Sequence, residues 1–272
     1  MRKLIIVLLL PFFFGTCFAD TLTVYPDAGS GTGYVDGSVV RNLGDAGATS
    51  WGTIRAAVGI NPYATNTEDR CFAYKSGVNG NYTDLERGIL NFNTSSIASG
   101  ATVSAATMSL RGTAKSDVLT TGGIIVLSFA GNSFNFVDTA NFKEIYDTYP
   151  SYEAYMSYSS FITTGYNDFP FNNPTTAIKK GNGTKIGVVL YYDYSGTTPS
   201  GANGSSSVYY WYSADTTGTS SDPKLVVTYV NPVLDGGIIG QTPQNMYSLN
   251  MFYTYTIHII ASIFNTNAYA QQ

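Results

Sequence analysis

The chain has few of the side chains on which most enzyme active sites depend. Among its 272 residues there is one histidine, His258, which lies close to the C-terminus. A Ser-His-Asp centre, a Cys-His centre and a histidine zinc site each need a histidine inside the folded domain. Because His258 lies beyond the last predicted strand, the sequence excludes these three kinds of site from the domain.

Cysteine is equally scarce, and Cys17 and Cys71 are the two examples. Cys17 falls in a predicted signal peptide, so the exported chain would retain Cys71 and could form no internal disulfide. We expect Cys71, which lies between Arg70 and Phe72, to be a small buried side chain. The stability of the domain must then come from apolar burial and strand pairing.

Charged residues make up 12% of the chain, whereas hydrophobic residues make up 44%. The shortfall in charge is filled by Gly, Ser, Thr, Asn and Tyr, which favour strands and turns over long helices. Lys and Arg number 14 against 18 Asp and Glu, and removal of Arg2 and Lys3 with a signal peptide leaves 12 against 18. This acidic balance argues against nucleic acid as a partner, because phosphate binding needs a basic face.

The first 19 residues have the pattern of a secretory signal peptide. Arg2 and Lys3 precede an apolar run over 4–14, and Ala19 supplies a small residue at the cleavage position. The apolar run is shorter than the roughly 20 residues that a membrane-spanning helix needs. We therefore expect a secreted, extracellular protein that is cleaved after Ala19 and folds as one domain over 20–232.

The composition changes again beyond this domain. Residues 236–272 contain no Asp, Glu, Lys or Arg, and we divide the end of the chain into a linker over 233–248 and an apolar tail over 249–272. The tail lacks the basic flanks of a spanning helix and is short for one. Its apolar character suits docking, self-association or contact with a membrane surface, and association with the cell surface stays open.

The clearest structural signal runs from Arg87 to Leu110, with the sequence RGILNFNTSSIASGATVSAATMSL. It predicts a strand over 88–92, a polar corner over 93–102 and a strand over 103–110, because apolar residues recur with the period of two of a half-buried sheet. Further strands are predicted at 21–25, 38–41, 51–57, 71–74, 123–129, 185–194, 208–213 and 223–230, with one or two short helical turns between 139 and 158. These short strands, separated by Gly, Asn and Ser turns, predict an all-β fold, an antiparallel β-sandwich of jelly-roll type.

The segment 87–110, together with SSDPKLVVTY near the domain end, resembles the DNRLRE, or disaggregatase-related, family of β-sandwich modules. The match covers 21–230 in order, although Asn93 stands where the family pattern usually has Asp and Ala98 where it usually has Pro. The resemblance implies an exported, non-catalytic module, which in some relatives binds carbohydrate beside a polysaccharide-active enzyme. It also implies an acidic residue, here Asp36, next to the first core strand, where Ca²⁺ could bind.

Aromatic residues are the positive functional feature, with 22 Tyr and 2 Trp. In the cluster 209–212, alternation along a strand gives Trp211 and Tyr209 one face and leaves the other face to the remaining two tyrosines. One face is core, and the other carries flat amphipathic rings that can stack on sugars. We expect Trp211, Tyr209, Tyr191 and Trp51 to contact such a ligand. Cross-strand aromatic pairing that only stabilises the sheet is the open alternative.

Calcium is the one cofactor that the sequence suggests. Asp27, Asp36 and Asp45 are spaced nine residues apart in glycine-rich loops, and carboxylates and loop carbonyls are ligands that a hard cation prefers. A structural calcium ion would use Asp36 and Asp27. The alternative is that all three aspartates serve turns.

Taken with the resemblance, these features predict a secreted, non-catalytic module that binds a polysaccharide or a cell-surface glycan. One alternative is a structural or adhesive surface protein anchored or assembled through its C-terminal tail. Another is a polysaccharide hydrolase or lyase, since glycoside hydrolysis needs only two carboxylates. Asp84 with Glu86, Glu68 with Asp69, or Asp168 with Asp193 could supply them, and the spacing selects no pair.

Overall fold

The computed structural model of the protein describes residues 19–29, 33–131, 134–149 and 151–232. The predicted signal peptide up to residue 18, the linker over 233–248 and the tail over 249–272 lie outside the described residues, so these assignments stay predictions. Within the described ranges, no helix has the length and apolar character needed to cross a membrane.

Strands dominate the described residues. In chain order they are β1 (Asp20–Val24), β2 (Asp36–Asn42), β3 (Asn61–Tyr63), β4 (Glu68–Lys75), β5 (Tyr82–Asn93), β6 (Thr102–Asp117), β7 (Gly123–Ser128), β8 (Ala154–Ser157), β9 (Tyr166–Pro170), β10 (Gly183–Leu190), β11 (Ser206–Tyr212) and β12 (Lys224–Val230). The helices are α1 (Trp51–Ala56), α2 (Thr139–Asp147), α3 (Pro174–Ala177) and α4 (Tyr191–Ser195), with a 3-10 turn at Asp45–Gly47.

The strands form one curled antiparallel sheet in the order β1-β12-β6-β11-β4-β5-β10-β7-β8, with β2 beside β5, β3 beside β2 and β9 beside β6. The sheet has two parts, and the long strand β6 belongs to both. Its residues up to Arg111 pair with β12 and β9, and its residues from Gly112 onward pair with β11. The predicted corner between β5 and β6 therefore carries the chain from one part to the other. The all-β class is confirmed, and the curled sheet agrees with the predicted sandwich.

Apolar residues of the two strands that flank this corner form the centre of the core. Ile89 and Phe92 on β5, with Met108 and Leu110 on β6, are fully buried. The apolar run predicted at 123–129 is β7, which lies between β10 and β8 and is buried over nearly its whole length. Burial on both faces explains why β7 is apolar at every position instead of alternating.

Strand β5 is also where the sheet branches. Along one edge, β5 pairs with β4 over 82–86 and then with β10 over 88–93, while its other edge pairs with β2. Arg87 lies between the two pairings and is fully buried. Its guanidinium donates to both carboxylate oxygens of Asp193, with Nε–Oδ2 and Nη2–Oδ1 distances of 2.7 and 2.8 Å. A buried ion pair therefore stabilises the branch.

The structure corrects two predicted strands. Residues 51–57, predicted as a strand, form α1, because the Ser50 hydroxyl accepts a hydrogen bond from the Thr53 amide and caps the first turn. The strand predicted over 185–194 ends at Leu190, and the next residues form α4. The predicted helical turns correspond to α2. Asp138 and Asn141 form a capping box at the first turn of this helix. Strands β3, β8 and β9 and helix α3 were not predicted, and β8 lies within 139–158, where only helical turns were expected.

Candidate functional site

A polar cleft of about 360 Å³ opens on the strands that surround β4. It combines residues from β3, β4, β5 and β11 with the loop before β4, and its lining residues are Tyr63, Asn66, Thr67, Glu68, Arg70, Glu86 and Tyr210. We call it the β4 cleft. Two tyrosines and several charged or polar side chains thus share one concavity, where they could orient a polar ligand.

A fixed ion pair lies in the β4 cleft. The Arg70 Nε atom donates to the Glu86 Oε2 atom at 2.6 Å, and the Ser38 hydroxyl donates to the Oε1 atom at 2.6 Å. Burial raises the pKa of Glu86, although the nearby Arg70 guanidinium and the Ser38 hydroxyl counteract this effect. Arg70 Nη1 also donates to the Tyr210 hydroxyl at 2.9 Å. Arg70, Glu86 and Tyr210 therefore have defined positions before any ligand enters.

Accessible groups surround this pair. The Tyr63 ring is 39% exposed, and Glu68 is exposed beside it in the lining. The loop before β4 is held in place, because the Thr67 carbonyl accepts hydrogen bonds from the Ser213 amide and the Thr216 hydroxyl. The β4 cleft can thus offer an aromatic face, a guanidinium and an exposed carboxylate to one ligand.

Three of the aromatic residues predicted to contact a ligand are instead core residues. Trp211 and Tyr209 are 0% exposed and Trp51 is 3% exposed. The Trp51 ring packs 4.7 Å from the Tyr82 ring, and the Tyr209 ring packs 5.3 Å from the Phe161 ring, centroid to centroid. Their assignment to a sugar-stacking face is therefore wrong, and for these rings the alternative of aromatic packing holds.

The alternation along β11 was read correctly, but its two faces were assigned the wrong way round. Trp211 and Tyr209 face the core, while Tyr210 and Tyr212 are half-buried on the other face. Tyr210 reaches the β4 cleft. An alternating pattern shows which residues share a face, and neighbouring strands decide which face is covered.

Tyr191 is the remaining predicted ligand residue, and it lies in a separate group of tyrosines. Its ring centroid is 5.2 Å from that of Tyr155 and 6.5 Å from that of Tyr194, and Tyr194 is 5.3 Å from Tyr152. Tyr155 is 47% exposed, and Tyr191 is half-buried at the start of α4. This group of four, which we call the tyrosine cluster, is a second aromatic surface. It shares no residue with the β4 cleft.

The two predicted calcium ligands have different partners. The Asp27 Oδ2 atom accepts a hydrogen bond from the Tyr34 amide at 2.7 Å, so this aspartate serves a turn. Asp36 is buried at the start of β2, where its Oδ2 atom accepts from the Ala214 amide at 2.9 Å. In the part of the chain that the structure describes, no three His, Cys, Asp or Glu side chains form a group that could hold a metal ion.

The suggested carboxylate pairs also have separate roles. Asp193 is bound to Arg87, and Asp168 accepts a hydrogen bond from the Ser109 hydroxyl at 2.6 Å. Glu68 and Glu86 line the same cleft, a combination that the spacing did not select. The sequence also gave no signal for Tyr63 or Arg70, because their proximity depends on strand register.

Comparison with known proteins does not assign the chain to a family. No protein-family model matches the chain, and no curated protein matches it closely enough to indicate a relationship.

Proposed function

We propose that the chain is an exported, non-catalytic module that binds a polysaccharide in the β4 cleft. The observation that carries this proposal is the combination of the exposed Tyr63 ring with a guanidinium that is already fixed by Glu86 and Tyr210. A sugar has an apolar face that stacks on an aromatic ring and hydroxyl groups that need directed hydrogen bonds. Because the guanidinium is already held in position, it loses little conformational entropy on binding.

The non-catalytic part of the proposal rests on the state of Glu86. Ser38 and Arg70 each donate a hydrogen bond to one of its carboxylate oxygens, and both interactions stabilise the ionised form. A general acid must instead hold a proton that it can give to the leaving group. In this proposal Glu86 positions Arg70, and Arg70 contacts the ligand. The resemblance to exported carbohydrate-binding modules and the predicted signal peptide support the same function.

We predict that Tyr63→Ala weakens polysaccharide binding at least tenfold, about 1.4 kcal/mol. The exposed ring would be lost as a stacking surface, while the free energy of unfolding should change by no more than about 0.5 kcal/mol, because the side chain is at the surface. A glycan array would first identify a ligand for the mature protein, and titration calorimetry would then compare the variant with the wild type.

Tyr155→Ala is the matched control, because it removes an exposed tyrosine of similar accessibility from the tyrosine cluster. We expect its affinity to equal that of the wild type. If Tyr155→Ala abolished binding and Tyr63→Ala did not, the site would lie at the tyrosine cluster. If the wild type bound no glycan, the proposed function would be rejected.

A polysaccharide hydrolase is the second candidate, because Glu68 and Glu86 line one cleft. We predict that the purified protein releases no reducing ends from any polysaccharide it binds. Reducing-sugar assays over extended incubation measure this directly. Release that disappears in both Glu86→Gln and Glu68→Gln, while binding is retained, would establish the hydrolase instead.

A further inference from the structure

The charges that line the β4 cleft do not balance. Arg70 and Glu86 form an ion pair with an Nε–Oε2 distance of 2.6 Å, so their charges largely cancel. The remaining charged residue of the lining is Glu68, which is exposed. Among the residues that the structure describes, no salt bridge includes Glu68. A ligand that enters the cleft therefore meets a carboxylate whose charge is not compensated.

Glu68 and Arg70 lie on the same face of β4, because residues two apart in a strand point the same way. In the pairing of β4 with β11, Tyr210 is opposite Arg70 and Tyr212 is opposite Glu68. The Arg70 guanidinium is held from two sides, by the Tyr210 hydroxyl at 2.9 Å and by Glu86. Its position and its charge are thus already committed within the protein, whereas the neighbouring Glu68 is accessible to a ligand.

Arg111 on β6 is a second guanidinium near these strands, and it does not neutralise Glu68. Its Cζ atom lies 5.7 Å from the centroid of the Tyr212 ring, and its Nη1 atom donates to the Ser221 hydroxyl at 2.9 Å. Arg111 is not among the residues that line the β4 cleft. The cleft is therefore suited to a ligand that is neutral or positively charged and disfavours one that carries negative charge.

We propose that the polysaccharide bound in the β4 cleft carries free amino groups and that Glu68 selects for them. This inference rests on the proposed function and names the class of its ligand. A protonated amine forms a charge-assisted hydrogen bond with the Glu68 carboxylate, and the exposed Tyr63 ring offers a face that attracts cations. Arg70, which Glu86 neutralises, donates to the hydroxyl oxygens of the sugar. Uronate and sulfate groups are repelled by Glu68.

A matched pair of probes measures this selection with the mature protein. An oligomer of glucosamine and an oligomer of glucose, with the same linkage and length, differ in bearing an ammonium or a hydroxyl group on each ring. By titration calorimetry at about pH 6, where much of the amine is protonated, we expect the glucosamine oligomer to bind about five- to tenfold more tightly. A uronate oligomer should bind more weakly than the glucose oligomer. Added salt should reduce both differences, because it screens exposed charges.

Glu68→Gln tests whether this carboxylate causes the preference. The variant should have the melting temperature of the wild type, because the side chain is exposed. We expect its affinity for the glucosamine oligomer to fall to that for the glucose oligomer, and its affinity for the uronate oligomer to rise. Asp147→Asn is the matched control, since it removes an exposed negative charge from α2, outside the cleft. It should keep the full preference for the amine.

The outcomes separate this inference from the function on which it rests. If the glycans that the protein binds on an array carry no free amino group, or if the glucose or uronate oligomer binds as tightly as the glucosamine oligomer, selection for amines is wrong. Polysaccharide binding in the cleft would still stand if Tyr63→Ala weakened it. A preference for amines that persists in Glu68→Gln would overturn the role of Glu68. If no glycan is bound, the proposed function and this inference are both rejected.

Discussion

Replacing Asp193 with alanine is expected to lower the free energy of unfolding by about 3–5 kcal/mol. Both Asp193 and its partner Arg87 are fully buried, so no water can take the place of the lost carboxylate. Arg87 would keep its hydrogen bonds to the Phe142 and Arg55 carbonyls and its position over the Phe142 ring. None of these groups carries a negative charge. Among the described residues, Asp193 is the carboxylate paired with this guanidinium, and the variant would lose it.

The loss of stability should be large because Asp193 also binds a second guanidinium. The Arg55 Nε atom donates to the Asp193 carbonyl at 2.6 Å and lies 3.4 Å from its Oδ1 atom. One carboxylate therefore ties α1 and α4 to the branch point of the sheet on β5. Because domains of this kind are stable by about 5–15 kcal/mol in total, Asp193→Ala should bring the protein close to its unfolding threshold.

Urea unfolding of Asp193→Ala and of Asp147→Ala would measure this difference. Asp147 also belongs to an ion pair, with Lys143, but both side chains are substantially exposed. Exposed pairs contribute about 0.3–0.5 kcal/mol on a helix, so Asp147→Ala should shift the midpoint only slightly. Replacing the buried pair together, as Arg87→Met with Asp193→Leu, should recover most of the lost stability. A loss below about 1 kcal/mol for Asp193→Ala would contradict the role of the pair.

The sequence was sufficient for features that depend on local pattern. The period of two around Ile89 and Met108 identified β5, β6 and the corner between them, and the continuous apolar run in β7 indicated its burial on both faces. These patterns are local because the polarity of each residue reflects whether its own position in the strand is buried or exposed. Residues 51–56 show where local pattern fails. Their sequence WGTIRA suits either a strand or a helix, and the cap by Ser50 together with burial of Trp51 and Ile54 selects the helix.

The candidate sites depend on contacts between strands that no local pattern records. The β4 cleft places Arg70 of β4 beside Glu86 of β5 and Tyr210 of β11, and these residues are brought together by register. Asp36 is likewise bound to the Ala214 amide in the segment after β11, a contact between distant parts of the chain. The sequence could suggest that tyrosines contact a ligand, but it could not select which ones.

Trp211 leads to the second large prediction. Trp211→Ala is expected to lower the free energy of unfolding by about 3–5 kcal/mol, as truncation of a large core side chain does. The ring fills the space that Gly88 leaves on β5, since a Cβ atom at Gly88 would lie 2.5 Å from the Trp211 Cζ2 atom. Val188 on β10 borders the same space. Removal of the indole would leave a cavity at the branch of the sheet, where the surrounding strands are fixed by pairing and cannot collapse.

Tyr212→Ala is the internal comparison, because Tyr212 lies on the same strand but on its half-buried face. Its cost in urea unfolding should be clearly smaller than that of Trp211→Ala. The difference also determines how binding experiments must be interpreted. Loss of glycan binding by Trp211→Ala would report a damaged fold, whereas loss by Tyr63→Ala would report a lost contact. Equal stability of Trp211→Ala and the wild type would show that the indole is not a core side chain, and the sugar-stacking role predicted for it would then become tenable again.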